Sequence, residues 1–414
     1  MSCPDHIDLR IEKMVQGGLG FARHAGQACL VKYAIAGELV KARVDQRHKQ
    51  FIEATAVEIP EPSPERVPPP CPLFTTCGGC HLQHMSYARQ LASKAQALED
   101  SLQRIGKFSE PAIAGPIASP AQLHYRIKAG LKVDLQPDVR IGLYEEKTHE
   151  LIDIERCLLL DERLNAALPL LRGLYREKPL VKAQVQFIDM LVCRASDAIV
   201  LRAWSSPRKA RTFSLSLKSG RLQPGAGHAH DSVRDLSFLR TPDAFCQVNA
   251  AQNETMIDVV LDYLAPGPSR RVLDLYCGSG NFSLFLGRQG AEVFGIEMNP
   301  AAVEQARVNA HANAIDRCRF ETADISILRL TKLPFKCTDV LVNPPRSGCA
   351  PAVIGQILKL RPHCIVYVSC NPATLARDAR LLCDGGYRPE RIQPLDMFPQ
   401  TCHSETVMKL VKSG

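Results

Sequence analysis

Cys370 and Glu405, thirty-five residues apart, have the side-chain types that together add to an electron-poor carbon and take up the proton the adduct must lose. Cys370 stands in Ser369-Cys370-Asn371-Pro372, directly after the apolar run Cys364-Ile365-Val366-Tyr367-Val368. That order predicts a buried strand giving way to a helix. Asn371 suits the N-cap and Pro372 the first helical position, so free N–H groups and the positive dipole end are expected beside the sulfur, favouring thiolate. Taken singly, a cysteine is more often a small buried hydrophobe and a glutamate a surface carboxylate. The pairing is what makes them candidates.

A second group follows strand-like segments. Leu273-Asp274-Leu275 runs into Tyr276-Cys277-Gly278-Ser279-Gly280-Asn281. Gly278 and Gly280 allow a ligand close approach to the backbone at a strand's carboxyl end, where open α/β sheets bind cofactors. Ser283 replaces the third glycine of the dinucleotide pattern, which disfavours a pyrophosphate cofactor. Glu297 ends the next strand-like run, seventeen residues after Gly280, where an acid can accept from a ribose diol. Asn343-Pro344-Pro345-Arg346 follows another strand end, and the Asn343 amide can offer donor and acceptor to a planar base.

Of 16 cysteines, only Cys71, Cys77 and Cys80 are tightly grouped, with Gly78-Gly79 permitting the turn that gathers them. Three thiolates need a fourth partner, and Cys157 is the best candidate among the rest. Four thiolates suit zinc or an iron-sulfur cluster, and His81 and His84 add further possible zinc ligands. Spacing does not separate these.

These groups must be positioned by more than one core, since 414 residues exceed what one normally organises. Residues 1–58 read as short strands with turns at Gly17-Gly18 and Gly37, a small OB-like β-barrel; 59–70 is a stiff proline-rich linker; 71–241 is a β-rich central domain with a helix from about Tyr87 to Arg104. From 242 to 414, strands alternate with helices, predicting an α/β doubly wound sheet. No leader or bilayer-length apolar stretch is found, which predicts a cytoplasmic protein with reduced thiols and no membrane partner. The net charge is +8, and Leu171 to Arg240, with 13 Lys and Arg against 5 Asp and Glu, holds all of it. Arg202, Arg208, Lys209, Arg211, Lys218 and Arg221 make a candidate phosphate track.

The Asp-x-x-Cys-Gly-x-Gly segment at Asp274 resembles class I S-adenosylmethionine (AdoMet) methyltransferases. With Phe245-Cys246-Gln247-Val248-Asn249, Ser369-Cys370-Asn371-Pro372 and His403-x-Glu405, nearly the whole chain resembles the RNA uracil-5 methyltransferases. The best match is the branch with an N-terminal TRAM domain and a [4Fe-4S] cluster, typified by the 23S ribosomal RNA enzyme. The TRAM-like turns are Gly18-Leu19-Gly20-Phe21-Ala22-Arg23 and Ala36-Gly37-Glu38. The resemblance implies Cys370 as nucleophile and Glu405 as base. It puts Gln247, Tyr276, Asn281, Glu297, Asp324 and Asn343 at AdoMet or pocket positions, and Cys71, Cys77, Cys80 and Cys157 at the cluster. Three positions depart from it: the family usually has Asp at Asn343, Phe at Cys246 and His at Gln400. The expected reaction is methylation of uridine C5 in RNA, 23S rRNA favoured and tRNA an alternative, by a monomer. A cytosine-5 RNA methyltransferase, which Asn343 keeps open, and a non-catalytic RNA-binding iron-sulfur protein are the rivals.

Overall fold

The computed structural model describes residues 5–135, 138–146, 148–177, 186–196, 198–204, 213–218, 221–242 and 244–413. The N-terminal part is a curled six-stranded sheet ordered His6–Arg10, Leu39–Arg47, Phe51–Glu61, Gln27–Lys32, Leu19–His24, Lys13–Val15. Alternation drives it: Ile7 and Leu9 point inward to join Ala22, Val31, Val40 and Ile52 in one apolar core. The last strand runs to Glu61, past the boundary expected at 58, because Pro60 falls where the ladder skips a register and needs no N–H. The proline-rich stretch after it is not a free spacer either. Arg66 holds the fully buried Glu38 carboxylate at 2.6 Å, and the Val67 N–H donates to the His84 carbonyl at 3.0 Å.

The central sheet has seven antiparallel strands in the order Arg221–Pro224, Phe213–Lys218, Ala198–Trp204, Phe187–Cys193, Lys128–Asp134, Arg140–Tyr144, Leu151–Asp153. Ile188, Met190, Leu131 and Ile141 pack one face against Leu164, Leu168 and Tyr175 of the helix Glu162–Glu177. Of the expected phosphate track, Arg202 lies on Ala198–Trp204 and Lys218 pairs with Arg221 across the outer strands. Arg208, Lys209 and Arg211 lie outside the described residues.

The C-terminal sheet is ordered Cys318–Thr322, Glu292–Glu297, Arg271–Leu275, Asp339–Val342, Cys364–Ser369, Glu405–Lys412, Tyr387–Leu395. The first five strands are parallel, and Glu405–Lys412 runs antiparallel to both its neighbours. Helices Ala250–Leu264, Ser283–Arg288 and Pro300–Ala312 cover one face, while Pro351–Leu360 and Pro372–Asp384 cover the other.

Two segments assigned from sequence to the central domain are built into this unit. Leu98 and Leu102 of the helix Tyr87–Arg104 belong to the second-face core, and Val233, Leu236 and Phe238 of the hairpin Ala229–Val233/Leu236–Arg240 belong to the first. The reason is amphipathicity: each has one apolar face, and it is this sheet that covers it.

Candidate active site

Four strand ends converge on the carboxyl edge of the C-terminal sheet. Leu275 pairs with Ile296 on one side and Val342 on the other, and Glu297 pairs with Thr322, so the loops carrying Tyr276, Glu297, Asp324 and Asn343 leave the same edge. Tyr276, Gly278 and Gly280 adopt φ of 63°, 55° and 88°, the left-handed region that turns the chain sharply. A Cβ built on Gly278 would meet nothing within 4 Å, so its backbone is open to close approach. The Gly278 N–H donates to Glu297 Oε2 at 3.3 Å and the Asn299 N–H to Oε1 at 2.9 Å, fixing the carboxylate. Asp324 accepts from the Ser326 hydroxyl and amide at 2.7 and 2.9 Å, which holds its carboxyl below the usual range.

Asn281 exchanges amide hydrogen bonds with Asn253 at 2.9 and 3.0 Å, and the Asn343 N–H donates to the Leu275 carbonyl at 3.3 Å. Gln247 sits half-buried on the loop before Ala250–Leu264, a helix capped by Asn249. These residues fit a nucleoside-bearing donor: an open glycine turn, a positioned carboxylate and neighbouring amides. Ser283, where a third glycine would stand, donates to Asp274 at 2.5 Å; burial pushes that carboxyl up to about 7. Met298, next to Glu297, is a large apolar side chain left 65% exposed, which only the structure makes evident.

Cys370 and Glu405 meet through strand register. Ser369 pairs with Thr406 in the antiparallel ladder, so the next residues on each strand, Cys370 and Glu405, flank its open end. Glu405 is 3% exposed, and burial pushes its carboxyl up to about 8 against the pull of Arg346. The helix cap is as expected, with Pro372 in the first turn and Asn371 Oδ1 accepting from the Ala373 N–H at 3.1 Å. Its expected consequence is not: the Cys370 thiol is pushed up, by burial first and then by the Glu405 charge, while the Arg346 guanidinium pulls it down. A helix terminus is a modest influence beside desolvation.

Arg346 is the candidate side chain that sequence reasoning left without a role. It donates to the His403 imidazole at 2.7 Å, and its carbonyl accepts from Asn371 Nδ2 at 3.1 Å. Burial, then the Arg346 charge, push His403 down to about 3, keeping the ring a neutral acceptor. The available signal was Arg346 closing the Asn-Pro-Pro turn, but its partner lies far along the chain.

Cys71, Cys77, Cys80 and Cys157 line one cavity of about 330 Å³, with Arg126 and Phe245 also on its wall. Burial pushes up the Cys77 and Cys157 thiols and takes Cys80 to about 12, while Arg126 lowers all three. Neither alternative ligand borders this cavity: His84 packs against Tyr33 and Phe74, and His81 against His403. Among the described residues, no three His, Cys, Asp or Glu side chains are grouped as ligands of a single metal ion.

Residues 231–413 match the family described as tRNA (Uracil-5-)-methyltransferase. The 23S rRNA (uracil(1939)-C(5))-methyltransferase RlmD of Shewanella piezotolerans is 34% identical, covering 97% of this chain and 94% of that one. The chain belongs to the RNA uracil-5 methyltransferase family. An uncharacterized RNA methyltransferase of Aquifex aeolicus is likewise 34% identical over 98% of both chains. The Pyrococcus abyssi tRNA (uracil-54, C5)-methyltransferase, solved with S-adenosyl-L-homocysteine, superposes with a TM-score of 0.75 at 25% identity, covering 98% of this chain and 99% of that one. As an RNA uracil-5 methyltransferase this protein takes its methyl group from AdoMet, and its C-terminal sheet is of the class I type. Among the described residues no helix is long and apolar enough to cross a membrane.

Proposed function

We propose that this protein methylates C5 of a uridine in 23S ribosomal RNA, acting as a monomer in the cytoplasm. The observation that carries the chemistry is the placement of Cys370 and Glu405 on either side of one ladder end, with Arg346 acting on both. The Cys370 thiolate adds to C6, and the C5–C6 π pair moves into an enolate. C5 then attacks the methyl carbon of AdoMet, whose sulfonium leaves as S-adenosylhomocysteine. Glu405 takes the proton from C5, the C6–S bond breaks, and the thiolate departs from 5-methyluracil. A carboxyl at about 8 is a far better base than an exposed glutamate. Arg346 supplies the positive charge that a buried thiolate needs.

Gly278, Gly280 and Glu297, with Tyr276 and Asn281, hold the donor, and Gln247, Asp324 and Asn343 border donor and base. The family's Asp is Asn343 here, so an uncharged amide offers both a donor and an acceptor to the pyrimidine edge. A [4Fe-4S] cluster is assigned to Cys71, Cys77, Cys80 and Cys157, whose side chains line one cavity and whose thiolates are the donors such a cluster takes. Held by these four residues, such a group would tie the loop around Cys77 to the turn at Cys157. The N-terminal curled sheet is proposed to be a TRAM domain.

The test incubates anaerobically purified protein and labelled AdoMet with unmodified ribosomal and transfer RNA and identifies the product nucleoside by mass spectrometry. 5-Methyluridine in 23S rRNA is the expected result. 5-Methyluridine only in tRNA would replace the substrate, 5-methylcytidine would replace the base, and no label would remove the reading. Iron and sulfide content of the same preparation tests the cluster.

A further inference from the structure

The face of the central sheet opposite the helix Glu162–Glu177 carries aromatic and basic side chains that the reaction does not use. Phe187 lies between Trp204 on one neighbouring strand and Lys132 on the other. Lys132 in turn pairs with Gly142, two residues before Tyr144 on the next strand. Because side chains alternate faces, Trp204, Phe187, Lys132 and Tyr144 share one face across four strands. All four are partly exposed.

Their contacts form one strip. The Trp204 and Phe187 rings stack at 4.2 Å and 15°, and Trp204 Nε1 donates to Asp189 at 2.9 Å, which fixes the indole. The Lys132 ammonium stands 4.1 Å from the Phe187 ring centre and 5.4 Å from that of Tyr144. Beside it opens a cavity of about 530 Å³ bordered by Lys132, Arg140, Tyr144, His149 and Phe187. Asp134 borders it too and is ion-paired with Arg140. Four of the sheet's seven strands come from the window Leu171–Arg240, which holds the whole basic excess of the chain.

We propose that this strip is a base-stacking platform for an unpaired stretch of the RNA substrate, on a different domain from Cys370. The inference rests on the RNA reading above and extends it to a second contact. A base can extend the stack that Phe187 and Trp204 begin, an interleaved cation meets the phosphates, and a partner of opposite charge matches the basic window. A duplex hides its base faces, so the platform selects single-stranded segments. It anchors substrate RNA at a distance from the uridine that reacts, lowering KM without touching the chemistry.

Trp204 is the chain's only tryptophan, so its fluorescence reports on the strip directly. The intact, anaerobically purified protein is titrated with oligoadenylate, with a duplex RNA of equal length and with heparin. Oligoadenylate should quench strongly, and duplex and heparin weakly. Phe187→Leu keeps apolar bulk but removes the ring, and should raise KM for a long rRNA fragment about tenfold at unchanged kcat. Lys132→Gln should raise KM and weaken its salt dependence. Fluorescence unmoved by oligoadenylate, equal quenching by heparin, or a parental KM in Phe187→Leu would each overturn the platform. Were quenching to occur while the parent protein formed no 5-methyluridine, the platform would stand and the proposed reaction would fall.

Discussion

The His81 N–H donates to the Gln400 carbonyl at 2.9 Å, and the Leu82 N–H donates to the same oxygen at 3.0 Å. One carbonyl thus ties the loop that carries Cys80 to the loop that carries His403 and leads into Glu405. Gln90, on the helix Tyr87–Arg104, completes the junction by donating to Gln400 Oε1 and accepting from its N–H, both at 3.0 Å. Gln90→Leu should therefore cost about 1–3 kcal/mol, the penalty for leaving buried amide groups unpaired. Urea unfolding measures the loss, and kcat should fall with it because this loop leads directly into Glu405, the proposed base.

Replacing Cys370 with Ala should abolish 5-methyluridine formation while AdoMet affinity, read by calorimetry, stays within about twofold of the parent, since the glycine turn is untouched. Replacing Glu405 with Gln should have a different signature. The thiol can still add and C5 can still take the methyl group, but the C5 proton remains. A covalent protein–RNA adduct carrying labelled methyl should then persist on a denaturing gel. Absence of the adduct would argue against Glu405 as the base.

The pH dependence has a definite sign. Glu405 acts as a carboxylate and Cys370 as a thiolate, and burial raises both groups, Glu405 to about 8. The active forms of both are depleted as pH falls, so kcat/KM at saturating AdoMet should climb from pH 6 through about 8 and level only above it. A profile already flat near pH 6 would contradict the buried state of Glu405. Stability runs the other way. A carboxyl whose folded pKa exceeds its unfolded value contributes fully below the unfolded pKa, and that contribution is lost as pH rises through about 8.

Lys94 and Asp396 form a buried ion pair at 2.6 Å, with side chains 4% and 1% exposed, and Lys94 also donates to the Phe398 carbonyl at 3.0 Å. Lys94→Met leaves a carboxylate without its partner in the interior and should cost about 3–5 kcal/mol. Combining it with Asp396→Leu should recover most of that loss. The double-mutant cycle is read by denaturant unfolding.

Much of the candidate site's placement was legible because its residues follow their strands directly. Tyr276, Gly278, Glu297, Asn343 and Cys370 each sit where an apolar run ends, and the parallel sheet brings such ends to one edge. Arg346 and His403 were not legible as a pair, because neither strand pattern nor spacing encodes a contact between loops so distant in sequence. The helix Tyr87–Arg104 was found with its ends, yet its packing partner was missed, since periodicity shows that a face is apolar and not what will cover it. The Cys370 thiol was misjudged for a related reason: the cap is written in Asn371-Pro372, but burial is a property of everything around it.

The strand Glu405–Lys412 lies between Cys364–Ser369 and Tyr387–Leu395, though it is made after both. During synthesis the strand leading into Cys370 is therefore complete while its inner edge is still unpaired. Folding must hold a slot open for a late arrival, and a chain halted before Glu405 carries the thiol without its proton acceptor. The last strand to be made thus completes both the sheet and the proposed pair, because Glu405 is its first residue.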